Sequence, residues 1–216
     1  MARSRAAEPK SRSKQLIELV VTIVVAVGLA LLIQAFIVKP YRIPSGSMLP
    51  TLHVGQRVLT NRLIDHPSVG DIVVFHPPRG ADSPNGVCGS PNQGVSQDGL
   101  GRTTVHPQAC GVPTPEESTQ VFIKRVVAGP GDRISIQDGH VIRNGVAEKD
   151  AYIAACQIGS SCNFRTPIVI PPGDYFMMGD NRGESDDSRF WGPVPDSWVI
   201  GVAFFTYWPL DRVGFL

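Results

Sequence analysis

Between Leu16 and Val38 the chain reads LIELVVTIVVAVGLALLIQAFIV, an apolar run of 23 residues (16 to 38 inclusive). Glu18, Thr22 and Gln34 are its only clearly polar members. As an α-helix rising about 1.5 Å per residue, the run reaches roughly 35 Å, enough to cross the hydrocarbon core of a bilayer. Its β-branched residues do not argue for a strand, because lipid leaves a lone segment only its own backbone to bond. A single transmembrane anchor over 16–38 is expected. Ahead of it lies MARSRAAEPKSRSK, with Arg3, Arg5, Lys10, Arg12 and Lys14. A basic flank stays on the cytoplasmic side, so 1–15 reads as a cytoplasmic tail and 39–216 as an outward-facing domain. A cleaved secretory leader is the competing reading. The run is longer than an ordinary leader core, no A-x-A site closes it, and Lys39-Pro40-Tyr41-Arg42 would cleave poorly.

Beyond the anchor the patterning is that of short strands. QRVLT (56–60), DIVVF (71–75), FIKRVV (122–127) and RISI (133–136) are β-prone. Asp138-Gly139 and Asn144-Gly145 flank HVIR as hairpin turns. PIVIPPGDYFMMGD carries two more strands, and VIGVAFFTYWP (199–209) is a long apolar closing strand. The expected class is mainly β, an antiparallel sheet domain behind one helix. Between about 77 and 119 the pattern collapses into Gly, Ser, Pro and Asn, which reads as a surface insertion. Cys88, Cys110, Cys156 and Cys162 all fall on the outward side, where disulfides persist. Four cysteines allow three pairings; proximity favours Cys88 with Cys110 and Cys156 with Cys162, and the sequence does not choose. No C-x-x-C pair or histidine at ligand spacing suggests a metal. A net charge of +1 and the lack of a basic stripe with interleaved aromatics argue against a nucleic-acid partner.

Three segments carry chemistry. In Pro44-Ser45-Gly46-Ser47-Met48-Leu49-Pro50, two serines bracket a glycine between prolines, a turn able to present a hydroxyl and aim a backbone N–H at an oxyanion. In Val121-Phe122-Ile123-Lys124-Arg125-Val126-Val127, strand alternation puts Lys124 on the face of Phe122 and Val126. Burial there would depress its pKa and make the amine a general base. The alternative for Lys124 is an edge-strand lysine that deters aggregation. The third segment, GDNRGESDDSRFWG (179–192), is a dense polar loop. Its carboxylates and arginines are candidates for bracing pairs, Asp187 with Arg189 or Asp180 with Arg182; its spacing misses that of a calcium loop.

Together PSGSMLPTL, GDIVVF, FIKRVVAGPGD and GDNRGESDDSRFWG, in that order behind an N-terminal anchor, resemble the boxes of the bacterial type I signal peptidase (leader peptidase) family. The similarity runs from about Leu16 to the C-terminus, outside the 77–119 insertion. It implies a serine endopeptidase with a Ser–Lys dyad that removes signal peptides after A-x-A-like sites. Ser47 would be the nucleophile and Lys124 the general base. Ser45 would donate to the oxyanion, and Ser185 would hydrogen-bond and orient Lys124. Asp180, Arg182, Asp187, Arg189 and Arg125 would form the polar network around the dyad. Ile43, Met48, Leu52, Phe122 and Ile123 would line shallow S1 and S3 pockets. Gly183-Glu184 departs from the Asp-Asn common in other members. No cofactor is implied. The implied partners are signal-peptide-bearing preproteins, membrane lipid and, functionally, the export machinery, at the bacterial plasma membrane. Aromatic residues in 190–191, 198 and 204–208 are expected to be partly core and partly lipid-facing.

Two other functions fit fewer residues. A Ser-His-Asp hydrolase has five histidines to draw on, but no G-x-S-x-G elbow surrounds Ser47. A degenerate, membrane-anchored binding or scaffold homologue would be expected to lack Ser47 or Lys124, and both are present.

Overall fold

The computed structural model describes residues 12–64, 66–81, 88, 95–97, 103–105, 108–156 and 162–216. The chain divides into two compact units, 1–39 and 40–216. Arg3, Arg5 and Lys10 of the basic flank lie outside the described residues. In the first unit, helix α1 (Arg12–Phe36) takes in Arg12 and Lys14 as well as most of the apolar run. It stops at Phe36 because Pro40 disfavours helical backbone just ahead of it, and Val38 is already extended. Its apolar side chains, Leu16 through Leu32, are exposed within the protein. Such a helix is long and apolar enough to cross a membrane.

The second unit is built of short antiparallel strands. In chain order they are β1 (Val38–Arg42), β2 (Arg57–Asn61), β3 (Ile72–Phe75), β4 (Val95–Gln97), β5 (Thr103–Val105), β6 (Phe122–Ala128) and β7 (Arg133–Gln137). There follow β8 (His140–Arg143), β9 (Val146–Ala147), β10 (Phe164–Val169), β11 (Asp174–Met178), β12 (Val194–Pro195), β13 (Val199–Trp208) and β14 (Gly214–Phe215). A short helix, α2 (Ser188–Trp191), precedes β12. The main sheet runs β1-β2-β13-β3-β6-β11-β12, with β14 added to β13. A smaller sheet runs β10-β7-β8-β9.

The sequence explains which strands are central. All four residues of β3 and all five of β11 are buried. A strand covered on both faces reads as a continuous apolar run instead of an alternating one, as IVVF and YFMM do. On β3, Val73 and Phe75 pack with Val126, Met177 and Trp191 on one side. Ile72 and Val74 pack with Ile43, Met48, Leu52 and Ile123 on the other. The smaller sheet closes a third cluster, where Ile134, Ile136, Val141 and Ile170 meet Phe176 and Met178. Its two hairpin turns follow from residue type. Asp138 and Gly139 take φ of 51° and 84°, and Asn144 and Gly145 take 53° and 83°, the left-handed pairs that Asp-Gly and Asn-Gly tolerate.

The 77–119 segment is more than a surface loop. Val95–Gln97 and Thr103–Val105 pair as a two-stranded ribbon. Its ends are packed: Ala81 lies in the cluster with Trp191, and Thr114 donates to the Trp191 carbonyl at 3.2 Å. The triplets that make the ribbon, Val-Ser-Gln and Thr-Thr-Val, are too short to stand out in a Gly- and Ser-rich background. Cys88 is bonded to Cys110 with Cα atoms 5.7 Å apart, and Cys156 to Cys162 at 6.3 Å.

Candidate active site

Ser47 sits in the single turn Gly46–Met48, entered from an extended Ser45. Apolar neighbours pin this turn. Met48 and Leu52 are fully buried, and Leu52 N–H donates to the Met48 carbonyl at 2.8 Å. The 179–189 loop holds it from another direction. Asn181 N–H donates to the Ser47 carbonyl at 3.0 Å, and its side-chain amide donates to the Gly46 carbonyl at 3.2 Å. Gly179 is required at this junction, since a Cβ there would collide with Ser185 Oγ and the Ser47 carbonyl oxygen.

Lys124 stands on β6 opposite Val73 of β3 and is 5% exposed. Its Nζ lies 2.7 Å from Ser47 Oγ and 5.9 Å from the centre of the Phe122 ring. Burial pushes its pKa down from the ordinary 10.5 to about 8, against the upward pull of Asp187 and Asp186. The exposed Ser45 hydroxyl donates to Ser47 Oγ at 3.3 Å. This places one hydroxyl against one partly neutral amine, with a second hydroxyl beside them. At that spacing an ammonium can only donate to Oγ, whereas a neutral Nζ can accept a hydrogen bond from the Ser47 hydroxyl and so act as its base.

The polar network differs in part from the expected pairs. Asp187 and Arg189 form a bidentate pair, Nε to Oδ1 at 2.7 Å and Nη2 to Oδ2 at 2.9 Å, both buried. Burial raises the Asp187 pKa, but Arg189 outweighs that and leaves it below the usual carboxylate range. Asp187 also accepts from Gly179 N–H at 3.1 Å, which ties α2 to the loop. Asp180, however, does not pair with Arg182. It takes Arg125 instead, through bonds of 2.9 and 2.7 Å, and also accepts from Thr51 at 2.5 Å. Arg125 reaches it because its side chain leaves β6 on the opposite face from Lys124. Arg182 turns to the Gly179 and Gly139 carbonyls and lies 3.7 Å from Asp150. The hydrogen bond expected between Ser185 and Lys124 is absent: Ser185 Oγ is buried and has no partner among the described residues.

Ser47 and Lys124 open on a cleft of about 460 Å³. Phe122 and Ile123 line it, together with Pro44 and Val121. Ile43, Met48 and Leu52 do not; they are buried in the cluster that anchors the Ser47 turn. Sequence reasoning missed Gln120, and also Glu184 and Asp186, two exposed carboxylates on the lining. It also missed Asn181, which sits inside a recognised box, and Tyr152, whose ring lies 4.0 Å from the Arg125 guanidinium carbon. The 179–192 box was the signal that could have found Asn181, whereas nothing in the sequence around Tyr152 points to the site.

The family model described as signal peptidase, peptidase S26, matches residues 16–208. The chain belongs to the S26 signal peptidases. Among its relatives, a probable signal peptidase I-1 of Synechocystis is 36% identical over 89% of this chain and 82% of its own length. A signal peptidase I of Leptolyngbya laminosa is 34% identical over 99% of this chain and 89% of its own. A signal peptidase I of Bacillus licheniformis is 30% identical over 95% and 97%. As a type I signal peptidase the chain is a serine endopeptidase, and the match spans the Ser47 turn, β6 and the 179–192 loop together.

Proposed function

We propose that this signal peptidase is a single-pass membrane enzyme of the bacterial plasma membrane that cuts preproteins after A-x-A-like sites with a Ser47–Lys124 dyad. The observation that supports it most is the 2.7 Å spacing between Ser47 Oγ and a buried Nζ whose pKa is lowered to about 8. The sequence supports the topology, with the basic flank cytoplasmic and residues 39–216 outside.

In this mechanism neutral Lys124 takes the Ser47 proton as Oγ attacks the scissile carbonyl. The tetrahedral oxyanion is met by Ser45 Oγ–H and the Ser47 backbone N–H. The peptide C–N bond breaks as the Lys124 ammonium returns the proton to the leaving amine. Lys124, neutral again, then deprotonates the water that attacks the acyl-enzyme, and Ser47 recovers its proton as the signal peptide leaves. Ser185, buried with its hydroxyl unpartnered, is assigned the orienting role for the ammonium form of Lys124. Asp187–Arg189 and Arg125–Asp180 hold the loop and strand in register. Phe122 and Ile123, with their cleft neighbours, select small side chains at the −1 and −3 positions. The substrate is a signal-peptide-bearing preprotein presented at the membrane by the export machinery.

The test compares wild type, Ser47→Ala and Lys124→Ala on a preprotein with an A-x-A site, reading the mature N-terminus by mass spectrometry. Cleavage after A-x-A by wild type alone is expected. Cleavage that survives Lys124→Ala would move the base to another residue.

A further inference from the structure

The outer unit has a second cleft, of about 270 Å³, lined by Pro40, Tyr41, Arg42, Arg57 and Tyr207. None of these residues takes part in the dyad or its bracing network. Both arginines are exposed, and among the described residues neither guanidinium has an ion pair or hydrogen bond. This sets them apart from Arg79, Arg125, Arg143 and Arg189 of the same unit, each of which holds a carboxylate. No carboxylate lines the cleft. Two unpartnered guanidiniums on neighbouring strands, β1 and β2, leave planar forks of donors suited to phosphate oxygens.

The surroundings select the source of that phosphate. Trp208, directly opposite Arg57 in the β2–β13 register, is 48% exposed. Phe215 on β14 is 84% exposed and makes an edge-on contact with Phe205 at 5.1 Å. Exposed aromatics next to arginines are the side-chain chemistry of a membrane interface. Arg42 also follows Phe36, the last residue of α1, by six positions, a reach of at most roughly 20 Å. We infer that Arg42 and Arg57 form a binding site for the phosphate of an anionic phospholipid headgroup. This rests on the membrane anchor proposed above but not on the roles of Ser47 and Lys124. Zwitterionic headgroups are disfavoured because their ammonium would meet two arginines with no carboxylate to receive it.

The test uses the full chain in non-ionic detergent and native mass spectrometry, titrating phosphatidylglycerol, phosphatidylcholine and inorganic phosphate separately. Wild type is expected to retain one phosphatidylglycerol. The Arg42→Gln/Arg57→Gln variant should bind it about tenfold or more weakly, and Arg42→Lys/Arg57→Lys should fall between. Arg165→Gln, an exposed arginine outside the cleft, should match wild type. Preprotein cleavage in micelles reports that each variant is folded, while binding is read independently of activity. Equal phosphatidylglycerol affinity in wild type and the double Gln variant would overturn the site. Phosphatidylcholine binding as tight as phosphatidylglycerol, or inorganic phosphate binding as tight as the lipid, would overturn the assignment to an anionic headgroup.

Discussion

Replacing Lys124 by Met should stabilise the protein at neutral pH while destroying its activity. The Lys124 pKa falls from 10.5 in the unfolded chain to about 8 in the fold, chiefly through burial. That difference of about 2.5 units corresponds to about 3 kcal/mol against folding wherever both states carry the proton. Methionine fills a similar volume without a charge and forfeits the bond to Ser47 Oγ, which contributes about 1 kcal/mol. The net gain is about 2 kcal/mol, or roughly 1 M in the urea midpoint for a slope near 2 kcal/mol/M. The sign with pH is fixed. Between about pH 8 and 10.5 the unfolded chain binds the proton that the native state has lost, so wild-type stability rises with pH there. The Met variant lacks this rise of about 3 kcal/mol, so the gap should close across that window and end reversed by about 1 kcal/mol, the contribution of the bond to Ser47. The assay is urea unfolding in detergent followed by the fluorescence of Trp191, which is fully buried. Equal midpoints at pH 7, or a gap that stays constant from pH 7 to 10.5, would refute burial as the cause of the shift.

Other outcomes follow from the same geometry. The rate of signal-peptide cleavage should climb to a plateau with an apparent pKa near 8, running at about a tenth of the plateau at pH 7; a limb near pH 6.5 would point to a histidine. Asp187→Asn removes a charge that raises the Lys124 pKa, so its acid limb should move to lower pH. The same change strands Arg189 and should cost about 3–5 kcal/mol by denaturant titration. Gly179→Ala should lower kcat at least tenfold, because its methyl displaces the Ser47 carbonyl and Ser185; wild-type kinetics would show that the loop yields freely. Thr51→Val should cost about 1 kcal/mol through the lost bond to Asp180 while leaving KM unchanged.

What could be read from the sequence was what is local. The apolar run announced α1, Asp-Gly and Asn-Gly announced the turns of the smaller sheet, and IVVF and YFMM announced strands, though not that both of their faces would be covered. The site was legible as boxes, and the structure brings Ser47 within 2.7 Å of Lys124 across 77 positions of sequence. Pairings inside the network were not legible. Proximity in the chain suggested Asp180 with Arg182, yet strand alternation sends Arg125 to Asp180 and leaves Arg182 for Asp150 and two carbonyls. Apolar residues beside the serine looked like pocket walls, but a turn that must hold a nucleophile still needs anchors. Ile43, Met48 and Leu52 serve that purpose from the core. The short ribbon at 95–105 lacked any run long enough to signal it.

Ser47 follows the last residue of α1 by only eleven positions, and a signal peptide is itself an apolar segment held in the bilayer. If both partners are held in one membrane, as proposed above, the search is confined to a plane, and the cleavable bond needs to meet the serine only within a thin layer beside it. Confinement of this kind raises local concentration without any new contact. A cleft with the proposed preference for small side chains could then suffice, because weak recognition is supplemented by crowding. It also gives a reason for sparing mature proteins: an A-x-A sequence adrift in solution would rarely enter that layer.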